Sequence, residues 1–164
     1  GASSSYMRVL DGNIPEGITN LRIGEEILLP QDLLYLYGYP LNGMYDDVFT
    51  LESQVIEVRD KPSYPVGELG VDAFGHKPVY IDKGIRRKVL LAMGHLDYCD
   101  YKDLIPQDKD VEILGCSSDH TIMDVTDAPR TYHVGDIVKF NLIYGTNLFL
   151  CHSQNVQKVF IDEE

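Results

Sequence analysis

NLRIGEEILL, residues 20–29, is the stretch on which the reading of this chain turns. It is a short apolar run of leucine and isoleucine, with Arg22 and Gly24 set two residues apart near its start. On a strand, residues i and i+2 share a face. The spacing therefore predicts a strand over 21–29 whose end carries a permanent cation beside a point of close backbone approach. That is the make-up of an anion site, although an ordinary strand with an arginine at its edge satisfies the same pattern. Pro30 closes the run, 31–37 are expected to make two helical turns, and Gly38-Tyr39-Pro40 to stop them.

Outward from this stretch the pattern is one of short strands. VFTLESQVIEVR (48–59) mixes β-branched residues with charges at near-alternate positions and predicts a long strand. Further strands are expected at 85–93, 111–114, 121–125, 136–143 and 156–161, with Tyr144 at the end of the 136–143 strand. Glycines at 67, 70 and 75 make 66–82 a winding loop, and 97–110 is polar and turn-like. Pro15-Glu16-Gly17 is a turn signal. Such spacing indicates an antiparallel β-barrel or sandwich with little helix.

The 164 residues are enough for one domain, or one domain plus a remnant. Twenty-six acidic against fourteen basic residues give a net charge of −12, which argues against nucleic acid and anionic membranes as partners. The same surface tolerates a cationic small molecule. Cys99, Cys116 and Cys151 are odd in number and lack metal-ligand spacing, so they read as free thiols in a reducing, cytoplasmic setting. No apolar run is long enough for a membrane span. Asp119, His120 and Asp124 make a poor metal set, because neighbours on a strand point to opposite faces.

Four blocks, NLRIGEEILL (20–29), VGELGVDAFG (66–75), EILGCSSDHTIMDVTD (112–127) and VGDIVKFNLIYG (134–145), occur in this order across nearly the whole chain. Together they resemble the alanine racemase fold family, in particular its ornithine-racemase-like branch. The resemblance implies a mainly β fold at 31–164, like the C-terminal domain of alanine racemase, and a remnant of the end of a (β/α)8 barrel at 1–30. It implies pyridoxal phosphate as cofactor, a homodimer, and an N-terminal barrel domain as partner. Arg22 would then face the pyridine nitrogen, which an arginine keeps unprotonated. Ser4, in a small-residue segment that also reads as a cloning scar, would hold the phosphate with Gly24, Glu25 and Tyr144.

The implied activity is racemisation of a basic amino acid such as ornithine. Asp119 would read the substrate from across the dimer, with Asp46 or Asp47 as further acidic groups. Where the family carries a catalytic tyrosine in a Gly-Tyr-x-Asp segment, Gly94-His95-Leu96-Asp97 places His95; a histidine can perform the same proton transfer. Tyr98 and Tyr101 are close enough to substitute for it. The lysine that carries the cofactor belongs far upstream in that fold, and none of the eight lysines here stands in such a context. The chain alone is therefore expected to be inactive. Two rivals remain: a basic amino-acid decarboxylase, against which Ser118 stands at the position of that family's cysteine, and a free-standing β-domain for dimerisation or ligand binding.

Overall fold

The computed structural model describes residues 2–41, 43–71, 75, 77 and 79–161, with side chains in the first helix described from Ser5 onward. Its centre is β1 (Thr50–Pro62), in which Leu51, Ser53 and Val55 are buried while Glu52 and Gln54 face out. That alternation is what a sheet with one wet face requires. The other strands are β2 (Ile85–Leu91), β3 (Ile105–Pro106), β4 (Glu112–Cys116), β5 (Thr121–Asp124) and β6 (Ile137–Asn141). They form one antiparallel sheet in the order β3-β6-β1-β2-β5-β4. Thr50 to Gln54 of β1 pair with β6, and its remainder pairs with β2 across a bulge between Val55 and Glu57. The sheet curls, so that Leu104 beside edge strand β3 and Ile113 of edge strand β4 join a single core with Val55, Val89, Met123 and Phe140. Pro106 sits on an edge, the place in a sheet that tolerates a missing N–H donor.

Four helices complete the chain: α1 (Ala2–Leu10), α2 (Gln31–Tyr37), α3 (His95–Tyr98) and α4 (Tyr144–His152). The helix expected at 31–37 is there, and Gly38 at φ 71° ends it. The turn at 15–17 closes through Ile18 N–H to the Pro15 carbonyl, 3.2 Å. Among the described residues no helix is long and apolar enough to cross a membrane.

Three expectations fail. Residues 21–29 are not a strand: 21–24 lie outside regular structure and Glu25–Ile27 form a 3₁₀ turn. The buried positions from there into α2 are Glu26, Leu29, Pro30, Gln31 and Leu33, with Ile27 and Leu28 exposed. That pattern lacks the period of two of a half-buried strand, which a continuous apolar run does not reveal. Tyr144 does not end a strand but opens α4, whose Thr146 and Leu150 face the core four residues apart. Residues 156–161 form no strand; Val159, Phe160 and Ile161 are 70–91% exposed, and no sheet edge receives them. Alpha1, in a segment read only as small and turn-forming, was not foreseen.

One ion-pair clip fastens β2 to β5. The Arg86 guanidinium donates from Nε to Asp124 Oδ2 at 2.8 Å and also pairs with Asp127. Burial pushes the Asp124 carboxyl up, but Arg86 and the N–H and hydroxyl of Thr126 together hold it below the usual carboxylate range. Arg86→Ala leaves that carboxylate buried without its cation and should lower Tm by roughly 5–10 °C. Because the folded-state value is depressed, the stabilisation is present above the ordinary aspartate range, near pH 4, and lost as pH falls through the lowered value. Urea titrations of the wild type and Arg86→Ala should therefore differ most at pH 7, with the difference shrinking as pH is lowered below about 4.

Candidate functional site

Two groups of candidate residues lie on different parts of the molecule. The first surrounds the segment that leads into α2. Arg22 and Gly24 are exposed and Glu25 is half-buried. Arg22 has no ion-pair or hydrogen-bond partner among the described residues, an unusual condition for a cation in so acidic a protein. Tyr144, the first residue of α4, is 46% exposed. Asp32 joins the two elements. Its carboxyl lies near the backbone N–H of Tyr144, and it senses the charges of Glu25, Glu26 and Asp103. Burial first, and those three carboxylates next, raise its pKa above the ordinary aspartate value, while the Tyr144 N–H opposes the rise. Glu25 and Tyr144 both act on Asp32, a residue that sequence reasoning missed. The only available signal was an aspartate in the first turn of a helix. The Ser4 side chain lies outside the described residues.

The second group is the turn carrying His95 and the loop carrying Asp119. The N–H groups of His95 and Leu96 donate to the carbonyls of Ser117 and Ser118 at 2.9 and 3.1 Å. Gly94 lies directly on that loop, and a Cβ there would overlap the Ser118 carbonyl and the Asp119 nitrogen. Asp97 Oδ2 accepts the Gly94 N–H at 3.0 Å, and Asp97 Oδ1 accepts the Ser153 hydroxyl at 3.0 Å. The turn ends at Cys99 with φ 74° and ψ −72°, closed by Asp100 N–H to the Tyr98 carbonyl at 3.1 Å. This γ-turn is a strained one for a non-glycine residue.

His95 is half-buried and lines a cleft of about 840 Å³ on the sheet together with Tyr101, Cys116, Lys88 and Lys102. Of the two alternative tyrosines, Tyr98 is fully buried and its hydroxyl is engaged with Thr121 at 2.6 Å. Burial drives its phenol far above the usual range, so it is in no position to exchange protons at neutral pH. Tyr101 remains accessible. The Asp119 carboxylate is exposed rather than enclosed, as are Asp46, Asp47 and His120. A charge pair there is screened and weak until another surface covers it. Asp124 is taken up by Arg86, so it does not join Asp119 and His120. Asp72, Ala73 and Phe74, within the glycine-rich block, lie outside the described residues.

Alpha4 spans the distance between the two groups. Tyr144 stands at its start, and Ser153, just past its end, holds Asp97. Nine residues of helix put these ends about 13 Å apart.

No family model matches the chain. The ornithine racemase of Acetoanaerobium sticklandii is 49% identical over 158 residues, covering 96% of this chain and 44% of its own length. The chain is a relative of the ornithine racemases. The lysine racemase of Thermotoga maritima is 43% identical over 160 residues, covering 98% of this chain and again 44% of its own. The chain thus spans less than half of the curated racemases it matches, and corresponds to a C-terminal part of them. Among solved structures, the alanine racemase of Acinetobacter baumannii aligns with 65% of this chain and 33% of its own, at 16% identity and a TM-score of 0.40.

Proposed function

We propose that these residues are the C-terminal part of a pyridoxal-phosphate-dependent racemase acting on a basic amino acid, ornithine or lysine. Support comes from the identity to racemases of both substrates along nearly the whole chain. The observation that carries the cofactor reading is Arg22, an exposed cation with no partner among the described residues, close in sequence to Glu25, which Asp32 brings near Tyr144. A heteroaromatic phosphate needs a donor for its ring nitrogen and several for its phosphate, and this donor set fits. When bound, pyridoxal phosphate supplies the electron sink that makes the α-hydrogen of an amino acid acidic.

In this reading Arg22 donates to the ring nitrogen and, being permanently charged, keeps it unprotonated. Ser4, the N–H groups of Gly24 and Glu25, and the Tyr144 hydroxyl hold the phosphate. Residues 1–30 end an N-terminal barrel domain, and 31–164 form the β-domain. His95 moves a proton at one face of the α-carbon, with Tyr101 as the neighbouring alternative, and the other face belongs to a lysine outside these residues. Asp119 faces the substrate. Tyr144 and Ser153 lie at opposite ends of α4, so the cradle around Tyr144 and the His95 turn held through Ser153 are read here as parts of two sites rather than one. A homodimer, in which His95 of one chain serves the cradle of the other, joins them.

The test is chiral chromatography of L-ornithine, L-lysine and L-alanine incubated with the full-length protein and the cofactor. Racemisation of ornithine or lysine in preference to alanine is expected, with none from the 164-residue chain alone. Release of carbon dioxide instead would establish the decarboxylase; no turnover of any of the three would leave a binding domain.

A further inference from the structure

We propose that Glu26, Gln31 and Asp32 form a receptor for one cationic group, an ammonium or a guanidinium, that the described residues do not supply. Glu26 is 0% exposed, and neither oxygen of its carboxylate has a hydrogen-bond partner. Gln31 is 2% exposed; its amide nitrogen is given to the Asp46 carbonyl, which fixes the amide and leaves its oxygen buried without a partner. Asp32 Oδ1 is buried and unpartnered as well, although the same carboxylate faces the Tyr144 N–H. The charge of Glu26 acts on Asp32, so the acidic groups lie close together. Glu26, Gln31 and Asp32, in the 3₁₀ turn and the start of α2, thus hold four buried acceptor atoms with no hydrogen-bond partner among the described residues.

Unpaired buried carboxylates are among the most unfavourable groups a protein can hold. Glu26 occupies, like Leu29 and Leu33, a buried position of this segment, where an apolar side chain would sit at no cost. A carboxylate there implies a partner. Water brings two donors to four acceptors. A metal ion is disfavoured, since no three ligating side chains among the described residues converge on one point. Ammonium and guanidinium groups carry donors only, three and five of them, and one positive charge. Arg22, four residues from Glu26, is exposed and does not reach it. The cation therefore comes from elsewhere, either as a lysine or arginine of the rest of the protein or as the distal ammonium of a diamino compound. The second source would also explain the substrate class proposed above; the first is independent of it.

The experiment compares the full-length wild type, Glu26→Gln, and the double variant Glu26→Gln, Gln31→Glu, which moves the carboxylate by one element. Thermal unfolding and calorimetric titration with 1,4-diaminobutane are read in parallel. If the cation is a side chain of the protein, Glu26→Gln lowers Tm by roughly 10 °C and the double variant recovers part of it. If it is a small molecule, Tm changes little but affinity for the diamine falls at least about tenfold and is recovered in the double variant. An unchanged or raised Tm in Glu26→Gln, with diamine binding unaltered or absent throughout, would overturn the proposal. Neither readout depends on turnover, so a failed racemase assay leaves this test intact.

Discussion

Gly94→Ala should destabilise the fold by about 3 kcal/mol, the upper end of what overpacking produces, and, under the function proposed above, should strip the full-length protein of that activity. The added methyl has nowhere to go: it meets backbone atoms of Ser118 and Asp119 rather than a side chain that could swing aside. Relief requires separating the 94–96 turn from the 117–119 loop, which breaks the bonds from His95 and Leu96 to the Ser117 and Ser118 carbonyls. It also disturbs Asp97, and through Ser153 the end of α4. The control is Gly145→Ala, where a Cβ meets nothing within 4 Å and helix propensity improves. Denaturation midpoints should move in opposite directions for the two variants. A Gly94→Ala protein as stable as wild type would mean that the loop is not seated on the turn.

The second large effect concerns assembly. In the full-length enzyme, Arg22→Ala and His95→Ala should each abolish most turnover, the latter by roughly 10²–10⁴-fold. If each site draws Arg22 from one chain and His95 from another, co-refolding the two inactive variants in equal amounts makes half the dimers mixed. Each mixed dimer has one intact site, so activity should return to about a quarter of wild type. If both residues serve the same site within one copy, the mixture stays as inactive as its components. The outcome thus tests whether the proposed site is shared between two copies.

The strands were largely legible because one face of this sheet is wet. Alternation in VFTLESQVIEVR gives β1 to within two residues at its start and three at its end, and the apolar clusters at 85–93, 121–125 and 136–143 give β2, β5 and β6. What misled was apolar content without a period. In 20–29 the leucines and isoleucines suggested a strand, whereas the departure from a period of two is visible only once the burial of a glutamate is known. At Tyr144 the hydrophobic run passes without a break from strand to helix, with no Ser, Thr, Asp or Asn at the cap position, Ile143, to mark the boundary. At 156–161 the β-branched residues are present but a pairing edge is not, and strand propensity without a partner yields no strand. Candidate site residues could be named one by one from the sequence. That the His95 turn is seated on the Asp119 loop, through the Ser117 and Ser118 carbonyls, could not, because the contact is tertiary.

Because β1 pairs with β6 through its first five residues and with β2 through the rest, it is the one strand on which both halves of the sheet depend. Around the bulge the two sets of bonds interlock: Ala92 N–H reaches the Gln54 carbonyl while Val55 N–H reaches the Asp136 carbonyl. Neither half can open there without exposing the other. Amide hydrogens at 54–55 should accordingly exchange only through global unfolding, whereas those of β3 and β4, at the free edges, should exchange through local opening at lower energy. The chain therefore melts as one cooperative unit despite its two patterns of strand pairing, and a strand break introduced at Val55 would be felt as far away as the loop that holds Asp119.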